Sequence, residues 1–135
     1  MKKEINFYQV DETIIKALAP LLIKVLDEKK KAIVFCGSEN LVKEMDASLW
    51  SYGRSKFIPH VTVFDVDFDM NRQSILITNK EENLNKADYL VFLDQPSDAF
   101  ISNFSRVFHF YEPGKLTAKL KPTNSYKKQD GKWVK

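Results

Sequence analysis

Three features of the sequence predict an α/β fold with a mainly parallel sheet. Runs that are apolar throughout, typical of strands buried on both faces, occupy residues 32–36 and 89–93. In the first half of the chain, apolar residues also recur with helical spacing over 14–26 and 41–50. Parallel strands need long crossover connections, and these helices are long enough to supply them. The alternation indicates a Rossmann-like three-layer sandwich, with both faces of the sheet covered.

Length and composition are those of a single domain, which we expect to span residues 1–135. Of the 135 residues, 44% are hydrophobic, so folding should bury about two-thirds of the unfolded surface. The lone cysteine, Cys36, excludes an internal disulfide and favours a reducing compartment. No apolar stretch approaches the ~20 residues of a membrane span, and residues 1–5 lack the apolar core of a signal peptide. We expect an unprocessed cytoplasmic protein.

The N-terminal region predicts a strand followed by a helix. Residues 5–10 are β-prone, and the pair Asp11-Glu12 is expected to cap a helix whose apolar residues run over 14–26. Because Pro20 lies inside that pattern, the helix should kink there or restart with the proline in its first turn. Lysines 29–31 should close the helix at its negative end.

A second helix is expected after the strand at 32–36. Ser38 follows Gly37 in a turn and should cap this helix. One face of the helix carries the apolar residues Leu41, Val42, Met45, Leu49 and Trp50. A loop over 51–56 then leads to an alternating, strand-like segment at 61–64.

The second half of the chain predicts further strands, a short helical turn and a C-terminal hairpin. The strands are expected at 75–78, 89–93 and 106–111, and the turn at Phe100, Ile101 and Phe104. Residues 116–120 fit a short helix that Pro122 must stop. Asp130-Gly131 is a favoured pair for a hairpin turn between 125–129 and 132–135.

The sequence carries no recognisable motif for nucleotide binding or nucleophilic catalysis. Four glycines are present, and neither the dinucleotide fingerprint nor the phosphate-binding P-loop occurs. The turn Gly37-Ser38 is interpreted as an ordinary capped turn, with phosphate at the helix N-terminus as the alternative. Cys36 lies in an apolar strand, where a thiol behaves as a small hydrophobe. We predict a non-catalytic protein that needs no cofactor.

Metal binding is also not predicted. Asp65, Asp67 and Asp69 alternate as in a calcium loop, but the glycine and glutamate that such a loop requires are absent. We interpret the stretch as a solvated acidic loop. His60 and His109 have no histidine or cysteine nearby at ligand spacing. His60, at the start of a strand, is interpreted as a hydrogen-bonded structural histidine.

Charge is distributed unevenly along the chain. Residues 112–135 hold seven lysines against two acidic residues, a net charge of +5. Since the whole chain carries +3, residues 1–111 carry −2. A basic end on a weakly acidic body predicts an acidic partner, either a peptide or a phosphate backbone. The alternative is a solvated tail whose lysines aid solubility.

The chain resembles the chi subunit of bacterial DNA polymerase III over essentially its whole length. The most specific match is Leu49-Trp50, a six-residue spacer and Phe57-Ile58-Pro59-His60. Supporting matches are Asn6-Phe7-Tyr8, Lys31–Cys36, Ile75-Leu76-Ile77, the aromatic strand Arg106–Tyr111 and the ending Tyr126–Trp133. The resemblance implies a non-enzymatic α/β subunit of the polymerase that acts in DNA replication.

Two protein contacts follow from the resemblance. One is with a psi subunit, which tethers chi to the clamp loader; residues expected at this interface are Trp50, Phe57, Leu49, Ile58 and Pro59. Large aromatic side chains beside a loop are typical interface anchors, although core packing is the alternative for Trp50 and Phe57. A helicase-type repair partner is left open.

The second implied contact is with the acidic C-terminal tail of the single-stranded DNA-binding protein. Residues expected to hold this tail are Lys115, Lys119, Lys121, Phe108 and Phe110. Lys115 and Lys119 are four residues apart and would share one helical face. Pro122 shortens the long basic helix with which the family ends, so the assignment of individual lysines stays open.

Two other functions compete with the adaptor. A module that binds single-stranded nucleic acid would use the lysine-rich end together with Tyr126 and Trp133. A small nucleotide-using enzyme lacks both a glycine loop and a catalytic set. The adaptor interpretation predicts little direct affinity for nucleic acid and no association with membranes.

Overall fold

A computed structural model describes most of the chain. The described residues are 4–10, 13–51, 58–65, 69–112, 122–129 and 132–134. The helices within them are α1 (Ile14–Asp27), α2 (Glu39–Ser51) and α3 (Asp98–Ile101), with a 3₁₀ turn at Met70–Arg72. The strands are β1 (Glu4–Gln9), β2 (Ala32–Phe35), β3 (Val61–Thr62), β4 (Ile75–Thr78), β5 (Tyr89–Phe92), β6 (Arg106–Tyr111), β7 (Asn124–Gln129) and β8 (Lys132–Val134).

These strands form one sheet in the order β3-β4-β2-β5-β6-β1-β7-β8. The first seven are parallel to their neighbours, and β8 is antiparallel to β7. Strands β2 and β4 are buried along their whole length, which explains why their sequences are apolar without alternation. The predicted α/β sandwich with a mainly parallel sheet is confirmed.

The two faces of the sheet are covered by different elements. Helices α1 and α2 pack on one face, over a cluster that includes Val34 and Ile77. Helix α3 and Phe104 pack on the other face, over a cluster that includes Ile33 and Leu76. Neighbouring residues such as Ile33 and Val34 therefore point into opposite layers. No helix within the described ranges has the length and apolar content that crossing a bilayer requires.

Helix α1 is continuous through Pro20, so it does not restart there. Its N-cap residue is Thr13, which makes no side-chain capping hydrogen bond. Thr13 thus replaces the predicted cap, Asp11-Glu12, which lies outside the described residues. The missing N–H of Pro20 is tolerated because the buried face of α1, with Leu18 and Leu22, holds the helix against the sheet.

The end of α1 is a Schellman motif formed by lysines. Lys29 adopts a left-handed backbone conformation with φ of 57°. Its N–H donates to the Leu26 carbonyl, and the N–H of Lys30 donates to the Val25 carbonyl, both at 3.0 Å. These bonds satisfy two carbonyls that would otherwise be unpaired at the helix end. The helix ends at the lysines as predicted, and the backbone N–H groups of Lys29 and Lys30 make the bonds that end it.

Helix α2 begins as predicted. The Ser38 hydroxyl accepts the N–H of Leu41 at 3.2 Å. The buried residues of this helix are Val42, Met45 and Leu49. Trp50, which we expected on the same face, is instead 58% exposed. Successive helical residues are about 100° apart, so Trp50 turns toward solvent beside Leu49.

Strand β3 is shorter than the predicted 61–64 because a tight turn follows it. The N–H of Thr62 donates to the Asp65 carboxylate at 2.7 Å, and the N–H of Asp65 donates to the Thr62 carbonyl at 3.1 Å. The second bond closes a β-turn over residues 62–65, and together the two bonds bend the chain out of the sheet. Strands β4 and β6 match their predicted bounds, and α3 is the predicted short turn. The helix predicted at 116–120 lies outside the described residues.

The C-terminal hairpin is confirmed, but its place in the sheet was not foreseen. Strand β7 pairs with β8 and also, in parallel, with β1. The N–H of Thr123 donates to the Ile5 carbonyl at 2.7 Å, and the rings of Tyr8 and Tyr126 stack at 5.0 Å. The polar sequence of β7 gives no signal for this pairing, which depends on a partner more than a hundred residues away.

Candidate functional site

The turn after β2 is occupied by a carboxylate. The Gly37 N–H donates to Asp94 Oδ2 at 3.0 Å. A Cβ on Gly37 would lie 2.5 Å from the same oxygen, so a larger residue here would displace the Asp94 side chain. An anionic phosphate placed here would meet the negative charge of Asp94. The capped-turn interpretation is therefore favoured over phosphate binding.

The two described aspartates of the acidic loop, Asp65 and Asp69, are engaged by neighbouring groups of the chain. The Asp65 carboxylate accepts the N–H of Thr62. The Asp69 carboxylate accepts the N–H of Asn71 at 3.1 Å and lies 3.5 Å from Arg72. Asp67 lies outside the described residues. Within the described part of the chain, no three histidine, cysteine or acidic side chains come together as a metal site.

Cys36 and His109 are core residues. Burial, assisted by the charge of Asp94, raises the pKa of the Cys36 thiol to about 12, so the reactive thiolate is scarce at neutral pH. His109 is fully buried, stacks on Phe92 at 4.6 Å and donates from Nδ1 to the Phe92 carbonyl at 3.0 Å. Burial lowers the pKa of His109, and that bond and Asp94 partly oppose the shift. Neither group is arranged for catalysis.

The most exposed large apolar side chain in the described structure is Trp50, at the end of α2. Its ring centroid lies 5.1 Å from that of His60, with 52° between the ring planes. His60 Nδ1 lies 2.8 Å from the Ile58 carbonyl oxygen, and Nε2 lies 2.8 Å from the Asp46 carboxylate. The prediction that His60 is a hydrogen-bonded structural histidine is confirmed. It supports an aromatic side chain that is open to solvent.

The residues predicted for the psi interface divide into exposed and buried ones. Trp50 and Pro59 are exposed, whereas Leu49 and Ile58 are 3% and 1% exposed. Leu49 and Ile58 thus form the core beneath this surface and do not contact a partner in the conformation observed. Phe57 lies outside the described residues. For Trp50, the alternative of plain core packing does not hold.

The residues predicted for the peptide site are only partly described. Lys115, Lys119 and Lys121 lie outside the described residues. Phe108 and Phe110 are each 2% exposed and belong to the core under α1. They therefore offer little surface to an aromatic peptide terminus, which corrects the idea of an aromatic wall behind the lysines.

Phe110 does line one cavity of about 320 Å³ between α1 and the sheet. Tyr8 stacks on Phe110 at 4.9 Å, and α1 contributes Pro20, Leu21 and Lys24 to the cavity wall. A lysine beside aromatic rings thus exists in the described structure, on a helix that the sequence did not suggest for binding. The only signal for this cavity in the sequence was a lysine, Lys24, near the end of the predicted helix.

Asp46 was also missed as a candidate. It lies four residues before Trp50 and hence on the same side of α2. An acidic residue on the polar side of a helix is unremarkable in sequence, because its contact with His60 depends on the return of the chain after α2. The i, i+4 spacing from Trp50 was the only available hint.

Comparisons with known proteins point to one family. The family model described as "DNA polymerase III chi subunit, HolC" matches residues 1–129. The "Probable DNA polymerase III subunit chi" of Rickettsia prowazekii (strain Madrid E) is 29% identical over 92 residues. That match covers 68% of this chain and 54% of the relative, so the chain spans about half the length of the curated relative it matches. The family match extends over both halves of the motif around Trp50. The chain belongs to the DNA polymerase III chi subunit family.

Proposed function

We propose that this protein is a non-catalytic accessory subunit of the bacterial replicative DNA polymerase, joining other proteins through two separate surfaces. The observation that carries the proposal is the exposed Trp50, held on His60 within the family's most specific motif. The absence of catalysis is supported by the inert environments of Cys36 and His109 and by the carboxylate that fills the turn after β2. The protein acts in the cytoplasm.

The first surface, formed by Trp50 and Pro59 with Phe57 between them in sequence, binds a psi-type subunit of the clamp loader. An exposed indole is the side chain most often found as a binding hot spot. Leu49 and Ile58 below it give the surface a rigid base. A rigid anchor loses little conformational entropy on binding, so more of its contact energy appears as affinity.

This surface is tested by measuring the affinity of a psi-type subunit for Trp50→Ala and for Phe64→Ala. Phe64 is a matched control, because it is the other exposed large apolar residue in the described structure, at 38% exposure, and it lies outside the motif. Trp50→Ala should lose about 2 kcal/mol or more of binding free energy, while Phe64→Ala should bind normally. Equal affinities of wild type and Trp50→Ala would contradict the assignment.

The second surface is the basic end, which receives the acidic C-terminal tail of the single-stranded DNA-binding protein. Residues 112–135 carry +5 while residues 1–111 carry −2, so the attraction for an acidic peptide is localised there. Lys115, Lys119 and Lys121 are the proposed contacts. Phe108 and Phe110 are buried in β6, the strand that precedes this basic segment in the sequence.

The second surface is tested with an acidic, phenylalanine-ended peptide at two salt concentrations. Lys119→Glu should abolish binding, and higher salt should weaken binding to the wild type because the Debye length shortens. Lys24→Glu is the matched control, since it reverses a lysine that is exposed beside Phe110. If Lys24→Glu abolishes binding and Lys119→Glu does not, the peptide occupies the cavity at α1 instead.

Single-stranded nucleic acid is the competing ligand for the same basic end. Tyr126, which such a module would use for stacking on bases, already has its ring stacked on Tyr8 at 15°. A single-stranded oligonucleotide should therefore bind more weakly than the peptide. Tighter binding of the oligonucleotide, lost on reversing the lysines, would favour the nucleic-acid module.

A further inference from the structure

We infer that Asp46 and His60 form a positioning pair that holds the Trp50 indole in a fixed orientation for its partner. This inference deepens the proposed function and rests on it for the identity of the partner. Neither residue is proposed to touch the partner. Their role is to fix the base on which the exposed ring lies.

The geometry supports this role because His60 has little freedom of its own. Its ring is buried, and each nitrogen lies 2.8 Å from an oxygen, one of a backbone carbonyl and one of the Asp46 carboxylate. The carbonyl belongs to Ile58, which is itself 1% exposed. The ring is thus attached at one end to the core and at the other to α2.

Asp46 couples this ring to the helix that carries the tryptophan. Asp46 and Trp50 are four residues apart on α2, so they are neighbours on one side of the helix. The His60 ring contacts both of them, with the Trp50 ring centroid 5.1 Å away. The contact between Asp46 and His60 therefore links α2 to the residue that precedes β3, directly beside the indole of Trp50.

Pre-organisation gives the pair its effect on binding. A tryptophan with half of its surface in water samples several rotamers unless one side of the ring is supported. Ordering that ring on binding costs conformational entropy, which weakens the complex. Because the pair already orders the ring in the free protein, less conformational entropy is lost when the partner binds. The side chain of Asp46 is itself 34% exposed, so replacing it leaves the core intact.

The test compares Asp46→Ala with Asp46→Asn, both in a Trp133→Phe background that leaves Trp50 as the only tryptophan. Asparagine keeps an oxygen that can accept from His60 Nε2, whereas alanine does not. Time-resolved anisotropy of Trp50 reports the local motion of the ring, which a change in overall stability alone does not alter. The affinity for a psi-type subunit is measured on the same variants.

Asp46→Ala should at least double the amplitude of fast local motion and weaken the subunit's binding about tenfold, equivalent to about 1.4 kcal/mol. Asp46→Asn should restore both toward wild type. Unchanged ring motion in Asp46→Ala, or equal effects of the two variants, would overturn the inference. If even the wild type fails to bind the psi-type subunit, the proposed function fails, and the anisotropy result still decides whether the pair positions Trp50.

Discussion

The two histidines of this chain occupy opposite kinds of region. His60 lies beside the edge strand β3, with an acceptor for each ring nitrogen and an exposed indole on its ring. His109 lies in β6 near the middle of the sheet, stacked between Phe92 and Tyr111, and its Nε2 has no hydrogen-bond partner among the residues that the structure describes. At the edge, each ring nitrogen of His60 lies within hydrogen-bond distance of an acceptor, and the ring lies beside a solvent-facing side chain. The central region is an aromatic core in which a buried ring nitrogen lacks a hydrogen-bond partner among the described residues.

This difference separates residues that shape a surface from residues that only stabilise the fold. An unpartnered buried nitrogen costs free energy, and the aromatic packing around His109 must offset that cost. At the edge, by contrast, polar contacts are used to hold one apolar side chain in water, which folding alone does not require. This contrast is the reason that we propose a partner surface at the edge, whereas the central residues of β6 are buried in the core.

The largest expected effect contrasts two adjacent residues at that edge. Leu49→Ala should lower the free energy of unfolding by about 2–5 kcal/mol, because Leu49 is buried and the cavity will close only in part. Trp50→Ala should lower it by less than about 1 kcal/mol, because most of the indole is exposed. Chemical denaturation of both variants provides the measurement. A Trp50→Ala variant that is the less stable of the two would make Trp50 a core residue.

A smaller effect concerns pH and the central histidine. The pKa of His109 is lowered in the folded protein, mainly by burial, so below about pH 6.5 the unfolded chain binds a proton at this residue that the folded chain does not. The unfolded state then binds more protons, and stability falls with falling pH by up to about 1.4 kcal/mol per pH unit until the folded pKa is reached.

His109→Phe keeps an aromatic ring in the stack and removes the titration, so it is the matched variant for this effect. Carboxylates titrate in both proteins, and the difference between their stability profiles isolates His109. Between pH 6.5 and 5 the wild type should lose more stability than the variant. Parallel profiles across this range would show that His109 takes up a proton in the folded state.

The smallest expected effect is a gain of stability at the end of α1. Lys29 has a positive φ, where a side chain is strained and glycine is not. Lys29→Gly should raise the free energy of unfolding by about 0.5–1 kcal/mol. Lys30→Gly, at the next position, has no such strain to relieve and should be neutral or destabilising. The same gain in both variants would rule out relief of strain as the cause.

The sequence predicted the centre of this fold better than its edges. Strands β4 and β6 were located at both ends because burial in the sheet gives β4 an apolar and β6 a largely aromatic sequence, which is a local signal. Strand β3 was overestimated because the bonds between Thr62 and Asp65 compete with the alternating pattern. The pairing of β7 with β1 was missed because a polar strand carries no mark of its distant neighbour.

Local sequence signals also determined which residues of the candidate site could be predicted. The motif identified Trp50, since a tryptophan at a helix end is conspicuous, but helical periodicity placed it wrongly on the buried face. Asp46 was missed because only the return of the chain brings His60 against it. Phe108 and Phe110 were assigned to a surface because the sequence of an aromatic strand does not show whether its side chains face the core or the solvent; both are buried.

Hydrogen exchange tests most directly whether two separate surfaces of this protein serve two protein partners, as we propose. Backbone exchange is measured for the protein alone, with a psi-type subunit and with the acidic peptide. The subunit should slow exchange at the end of α2 and over residues 58–60, and the peptide should slow it only within residues 112–129. A shared footprint, or a subunit footprint that leaves the end of α2 unchanged, would contradict the account.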